Sequence, residues 1–177
     1  MKSLAEQINA YAAYHRDPRN TITHFVGVPL VTFTIFQFLS WFRFRFTPDL
    51  PLTGATLFYV AVLIYYLRLD WAIALLQIPV SLVLLWLADQ AALLPLTESV
   101  LVFVGAFVVG WAIQLVGHYF EGKRPALLDN ISQIFNAPLF LTAEVLLLFG
   151  LRPDLRPSPV WVPHANGRPQ LEESIPS

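Results

Sequence analysis

The sequence predicts an all-α fold: an integral membrane helical bundle of four spans, with a fifth apolar segment and an amphipathic N-terminal helix. Three observations predict it. Hydrophobic residues make up 56% of the 177-residue chain and charged residues 13%, against about 45–50% and about 25% in soluble proteins. The mean hydropathy is +0.58. Uncharged runs of about the length of a bilayer core alternate with short polar stretches.

Other classes drop out early. A net charge of −1 leaves no electrostatic case for nucleic acid as a partner. The absence of cysteine removes disulfides, thiolate metal sites and cysteine nucleophiles together. Residues 1–23 carry Lys2, Glu6, Arg16, Asp17 and Arg19 and no apolar core, so they do not read as a signal peptide.

The elements follow in order. Residues 3–15 fit an amphipathic helix. Ser3 and Glu6 form a capping box, in which each side chain satisfies the other's backbone N–H. Leu4, Ile8, Tyr11 and His15 share one face, which lies on the membrane surface or packs on the bundle. Asp17-Pro18 starts a second helix, with Asp as N-cap and Pro where no N–H is needed. This helix runs through His24 into Phe25–Phe42, an uncharged run of eighteen residues, about 27 Å at 1.5 Å per residue. Pro29 is expected to kink it. The break at Asp17-Pro18 lets His15 and His24 turn toward a common point. On one continuous helix, nine residues would put them on opposite faces.

Leu50–Leu67, Trp71–Ala88 and Ser99–Phe120 are the second, third and fourth uncharged runs. Ile134–Leu151 is a fifth, interrupted by Asn136, Pro138 and Glu144. Glu144 is either a buried partner for a cation or a sign that this run does not span. Residues 1–151 are expected to form one membrane domain with an interfacial metal site, and residues 152–177 a mobile polar tail.

Basic residues set the expected topology. With the N-terminus in the cytoplasm and four spans, Lys2, Arg16, Arg19, Arg68, Lys123 and Arg124 lie inside, and Arg43 and Arg45 outside. A fifth span would put Arg152, Arg156 and Arg168 outside, for a bias of six to five. A re-entrant fifth segment raises it to nine to two, and is the arrangement expected. Either version collects His15, His24 and His118 at one membrane face. The membrane would be the cell inner membrane in a bacterium and the endoplasmic reticulum in a eukaryote.

Gln114, His118 and Glu121 form a polar stripe at the end of the fourth run. At that depth polar groups need partners, and a metal ion is one. The candidate metal ligands are His15, His24 and His118. Glu121 is the candidate carboxylate, as a ligand or as the acceptor that fixes a histidine tautomer. Histidines with a carboxylate and open positions suit non-haem iron. Arg16, Arg19, Lys123 and Arg124 read as headgroup anchors. Alternatively Arg16, Lys123 or Arg124 pairs with a substrate carboxylate beside Glu121 and acts in catalysis. Gln114 reads as a helix–helix hydrogen-bonding residue, and His164, in the tail, as a bystander.

The order His15-x-Asp17-Pro18-x-Asn20, His24, Pro29, then Gly117-His118 with Glu121, Arg124-Pro125-Ala126-Leu127 and Asp129-Asn130, then Ala137-Pro138 with Glu144, resembles a family. This is the family of small multi-pass membrane proteins related to the fungal endoplasmic-reticulum 2-hydroxy fatty acid dioxygenase, which acts in α-oxidation of the acid derived from phytosphingosine. The likeness covers about residues 5–151. It implies an Fe(II)-dependent dioxygenase, needing neither haem nor 2-oxoglutarate, that cleaves C1–C2 of long-chain 2-hydroxy fatty acids. Its essential histidines fall on His15, His24 and His118. It also implies a histidine where this chain has Gln90, a departure that weakens a four-histidine site. The expected topology in any case places Gln90 at the opposite face. A 2-hydroxy acid can chelate iron through its carboxylate and hydroxyl oxygens. Bringing it together with molecular oxygen removes much of the entropic barrier to their meeting. The acyl tail would enter from the lipid bilayer.

Three rival readings stand beside this one. A di-iron desaturase needs more clustered histidines than the chain's four. A transporter needs repeats and mid-span charges that this chain lacks. A non-enzymatic membrane scaffold with structural histidines stays open.

Overall fold

The computed structural model describes residues 3–12, 15, 17–47, 50–123, 125 and 133–156. Six helices and a small hairpin run in the order α1 (Leu4–Ala12), α2 (Pro18–Ser40), β1 (Arg43–Thr47), β2 (Leu50–Thr53), α3 (Gly54–Leu69), α4 (Trp71–Ala92), α5 (Leu96–Glu121) and α6 (Gln133–Leu148), followed by a 3-10 turn at Pro153–Leu155. The protein is an all-α membrane bundle, with the hairpin as a minor addition. Among the described residues three helices, α2, α4 and α5, are long and apolar enough to cross a membrane. Their outward side chains, such as Val83, Trp86 and Leu101, are exposed, as lipid-facing groups must be when the backbone satisfies itself within each helix.

The local signals act as their chemistry dictates. The Glu6 carboxylate accepts from the Ser3 N–H at 2.7 Å, and the Glu6 N–H donates to the Ser3 hydroxyl at 3.2 Å. Leu4, Ile8, Tyr11 and His15 are all buried. Their face packs on the bundle against α6, where the Tyr11 and Phe140 rings lie 4.9 Å apart. Helix α1 is described over Leu4–Ala12, and His15 is not helical. Asp17 caps α2 by accepting the Arg19 N–H at 2.8 Å, with Pro18 at the first helical position. Helix α2 then continues unbroken through Pro29.

The second apolar run is divided. Leu50–Thr53 pairs antiparallel with β1, Arg43 opposite Thr53. Only then does α3 begin, capped by the Thr53 hydroxyl accepting from the Thr56 N–H. With 16 residues, α3 is about 24 Å long.

Helix α2 is the central element. Its N-terminal end meets the end of α5, where the Asp17 N–H donates to Glu121. Its C-terminal end meets the start of α5, where Gln37 donates to the Ser99 carbonyl at 2.9 Å and the Trp41 N–H to the Ser99 hydroxyl. The two helices are therefore antiparallel. Glycines allow them to touch. A Cβ at Gly27 would lie 2.6 Å from Gln114 Cγ, and one at Gly117 would overlap the Thr23 hydroxyl and the Asn20 side chain. Small residues at such a contact let backbones approach where no hydrophobic force drives helix pairing.

The residues that follow α5 and α6 lie at the same end of the bundle. Lys123 follows α5 at the end where α2 and α4 start. Arg152, just past α6, pairs with Asp70 at 3.0 Å, and Asp70 caps the start of α4. Helix α6 therefore ends at the face where α5 ends, and residues 126–132, which lead into it, lie outside the described residues. Arg19, Arg68, Lys123, Arg152 and Arg156 gather at this end; Arg43 and Arg45 lie at the other. Residues 152–156, expected to open the polar tail, instead form a packed turn in which Leu155 is buried. The rest of that tail, with His164, lies outside the described residues.

Gly117→Ala is expected to lower stability by about 1–3 kcal/mol, because the new methyl must displace Thr23 or Asn20. Gly105→Ala, which meets nothing within 4 Å, should be neutral. Thermal unfolding of both variants in detergent checks the pair; equal midpoints would contradict the close α2–α5 contact.

Candidate functional site

Three histidines meet at the charged end. His15 comes from the link between α1 and α2, His24 from the second turn of α2, and His118 from the last turn of α5. All are buried, with 5%, 1% and 5% exposure. Their ring centroids form a near-equilateral triangle: 4.5 Å for His15–His24 and 5.0 Å for each of the others to His118. One ligand atom from each lies within 4.8 Å of the other two. The three candidate ligands are thus brought together by the break before Pro18 and by the Gly117 contact, which sets His118 against α2.

Backbone carbonyls fix two tautomers. His15 Nδ1 lies 2.9 Å from the Tyr11 carbonyl and His24 Nδ1 lies 2.9 Å from the Asn20 carbonyl. A carbonyl only accepts, so both Nδ1 atoms carry hydrogen and both neutral rings present a lone pair at Nε2. Those two Nε2 atoms face each other at 3.1 Å. Two lone pairs at that distance repel unless a cation lies between them. Two nitrogens so spaced suit neighbouring ligands of one ion with bonds of about 2.1 Å. His118 Nδ1 is buried without a hydrogen-bond partner among the described residues. An unsatisfied nitrogen and two opposed lone pairs make this a donor set that can hold a metal ion, and imidazole suits iron, zinc, copper or nickel.

Tyr11 matters here for more than its place on the buried face of α1, which is all that periodicity reveals of it. Its ring stacks on His15 at 4.0 Å with the planes 2° apart, while its carbonyl sets the His15 tautomer. Asn20 does the same for His24, and its place in the His15–His24 motif is the one sequence signal that points to it.

Glu121 stands apart from the triad's ligand atoms. One carboxylate oxygen accepts the Asp17 N–H at 2.8 Å and the Asn20 amide at 3.3 Å. It ties the end of α5 to the start of α2 and so braces the segment that carries His15, Asn20 and His24. Arg19 is taken up by Asp17 at 2.8 Å and by the Phe120 ring, 4.5 Å from its guanidinium carbon. Lys123 is exposed, just past Gly122, whose φ of 68° ends α5. Arg16 and Arg124 lie outside the described residues. Gln114 packs on Gly27 and lines the cavity described next. Gln90 is exposed in the last turn of α4, beside the Asp89–Arg43 pair, and is remote from the histidines.

A cavity of about 670 Å³ opens from the triad into the bundle, within the ordinary range of about 300–1,000 Å³ for ligand sites. His15, His24, His118 and Gln114 line its polar end, and Val28, Phe58 and Leu84 are among the apolar side chains beyond.

Fold and site together define a helical membrane protein with a buried three-histidine cluster at the head of an apolar cavity. The chain belongs to the Mpo1-like family, described as 2-hydroxy-palmitic acid dioxygenase Mpo1-like, which it matches over residues 1–148. It is 30% identical over 155 residues to the 2-hydroxy-palmitic acid dioxygenase MPO1 of Saccharomyces cerevisiae, covering 86% of this chain and 85% of the yeast protein. No solved structure matches it.

Burial pushes the His15 imidazole down to about 3, and charge on His24 adds to the effect. The unfolded chain takes up this proton below about 6.5, whereas the folded one does not. Stability of the metal-free protein should therefore fall as pH drops below that value, by up to about 1.4 kcal/mol per pH unit from this group. Melting temperatures between about pH 7.5 and about pH 5 test this. His15→Gln should flatten the slope; an equal slope in the variant would rule out a neutral, buried His15.

Proposed function

We propose that this protein is a non-haem iron(II) dioxygenase that removes one carbon from long-chain 2-hydroxy fatty acids. The observation that carries the reading is the junction of donor set and cavity: three neutral imidazoles converge where an apolar chamber begins. A substrate with a chelating head and a hydrocarbon tail suits both halves. The family and the yeast relative, each described as a 2-hydroxy-palmitic acid dioxygenase, support the same substrate class.

His15, His24 and His118 would hold the ion. Bound iron(II) would supply the redox chemistry that molecular oxygen needs to react with a closed-shell acid, and positions for the acid's carboxylate and hydroxyl oxygens. The chain's own residues do the rest. Tyr11 and Asn20 keep the Nδ1 protons of His15 and His24 in place, so both lone pairs stay aimed inward. Glu121 holds the α2 start that carries them. Arg16, Lys123 and Arg124 supply positive charge for the carboxylate as it arrives at the membrane face. The apolar chamber orients the tail and excludes water from C1 and C2. The overall reaction balances: R–CH(OH)–COOH and O₂ give R–COOH, CO₂ and water, with O₂ taking four electrons. The N-terminus lies in the cytoplasm, so the acid is met at the cytoplasmic face.

Oxygen uptake by anaerobically purified, iron(II)-loaded protein given a long-chain 2-hydroxy acid tests the reading. The wild type should consume oxygen and release an acid one carbon shorter, and His24→Ala should do neither. Iron-loaded wild type without uptake would reject the reaction. In parallel, His15→Ala, His24→Ala and His118→Ala should each lose bound iron by elemental analysis while His164→Ala keeps it. Iron retained by any of the first three removes that residue from the site. Tags at residues 1 and 122 should both report cytoplasm, and opposite sides would break the assigned orientation.

A further inference from the structure

Aromatic side chains gather at the end of the cavity away from the histidines. Phe36 of α2, 4% exposed, meets Phe58 and Tyr59 of α3 edge-on, at centroid distances of 6.4 and 6.3 Å. All three line the cavity. Ala55 and Ala88, each 0% exposed, close in behind Phe36 in the same apolar cluster. Their small side chains let α3 and α4 press on the Phe36 ring, so the ring has little room to swing away.

The depth of this floor is fixed by one helix. His24 at the head and Phe36 at the floor both lie on α2, and the twelve residues between positions 24 and 36 make about 18 Å. An extended hydrocarbon chain, with bonds of about 1.5 Å, advances ~1.25 Å per carbon, so about fourteen carbons fit between head and floor. With the two carbons of the acid head, the chamber takes a chain of about sixteen carbons.

We propose that the floor formed by Phe36, Phe58 and Tyr59 sets the longest acyl chain that this protein accepts. The proposal rests on the reading that the acid head lies at the histidines. The competing geometry is a tail that leaves sideways into lipid, past Phe25, Leu76 and Val80, which line the cavity and are 41%, 49% and 53% exposed. A tail on that path would meet no floor and show no length limit.

The test uses full-length, iron-loaded protein in lipid nanodiscs and a series of saturated 2-hydroxy acids from twelve to twenty-four carbons. One readout is kcat/KM for each length. A second, independent of turnover, is displacement of a fluorescent fatty acid by ordinary fatty acids of the same lengths. In the wild type both should fall beyond about sixteen carbons, by about 10-fold for each added methylene that the floor must reject. Phe36→Ala, and to a smaller extent Phe36→Leu, should move the limit to longer chains. Thr32→Phe, placed about 12 Å from His24 along α2, should shorten it by about five carbons. An unchanged limit in variants that keep the wild-type melting temperature to within a few degrees would overturn the floor, as would the absence of any limit in the wild type. A length limit in displacement that Phe36→Ala moves, without turnover of any hydroxy acid, would keep the chamber and reject the proposed reaction. Neither displacement nor turnover would reject both.

Discussion

The Nε2 atoms of His15 and His24 face each other at 3.1 Å, each with its ring proton held on the far nitrogen by a backbone carbonyl. Two lone pairs in a buried site are unfavourable at that range, and neither ring can turn without breaking the hydrogen bond that orients it. The arrangement is costly as a purely structural feature and reasonable as one prepared for a cation. Much of the surrounding structure serves it. Helix α1 must dock on α6 for the Tyr11 carbonyl to reach His15. Helix α2 must begin anew at Pro18 for His24 to point back. Helix α5 must approach within glycine contact for His118 to complete the triangle.

The carboxylates near the triad are held by hydrogen bonds of their own. Glu121 accepts backbone and amide hydrogens at the start of α2, and Asp17 is occupied with its own cap and with Arg19. The carboxylates nearest in sequence to the ligands thus act as struts. Three neutral imidazoles would add no negative charge of their own, so an ion bound there would stay attractive to an anionic headgroup. This is a physical reason for three histidines at a site proposed to receive a carboxylate.

The membrane explains why site and chamber share one axis. Helices α2 to α6 all contribute side chains to the cavity, while its polar end coincides with the end of the bundle that gathers the basic residues. Helix α6 ends at the same face as α5, and its residues Ile134, Ala137, Leu141 and Val145 help to wall the chamber. Glu144 lies on α6, half-shielded from solvent.

Several features were legible in the sequence because they are local. The capping box at Ser3 and Glu6, the Asp17-Pro18 helix start, the buried face of Leu4, Ile8, Tyr11 and His15, and the long apolar helices all follow from periodicity and end chemistry. The three histidines could be nominated because they fell at the same predicted face. Three things were not legible. The hairpin took the first residues of the second apolar run, since strand and helix are hard to distinguish in a short apolar stretch. The role of Glu121 depended on which backbone N–H lay opposite it across more than a hundred residues of chain. The early residues of the tail looked polar and mobile, yet Leu155 found a buried place and Arg152 a partner in Asp70.

Local sequence sets the class of solvent the helices face, the caps of α1 and α2 and the identity of the candidate ligands. Each of these is set by neighbours a few residues away and by the balance of apolar and charged side chains. Packing sets the convergence of the ligands, which of their nitrogens point inward, and which side chains line the chamber. Those depend on contacts between elements far apart in the chain: Gly117 against Asn20 and Thr23, and Phe36 against Phe58 and Tyr59. No local spacing encodes the distance between two helices; packing does.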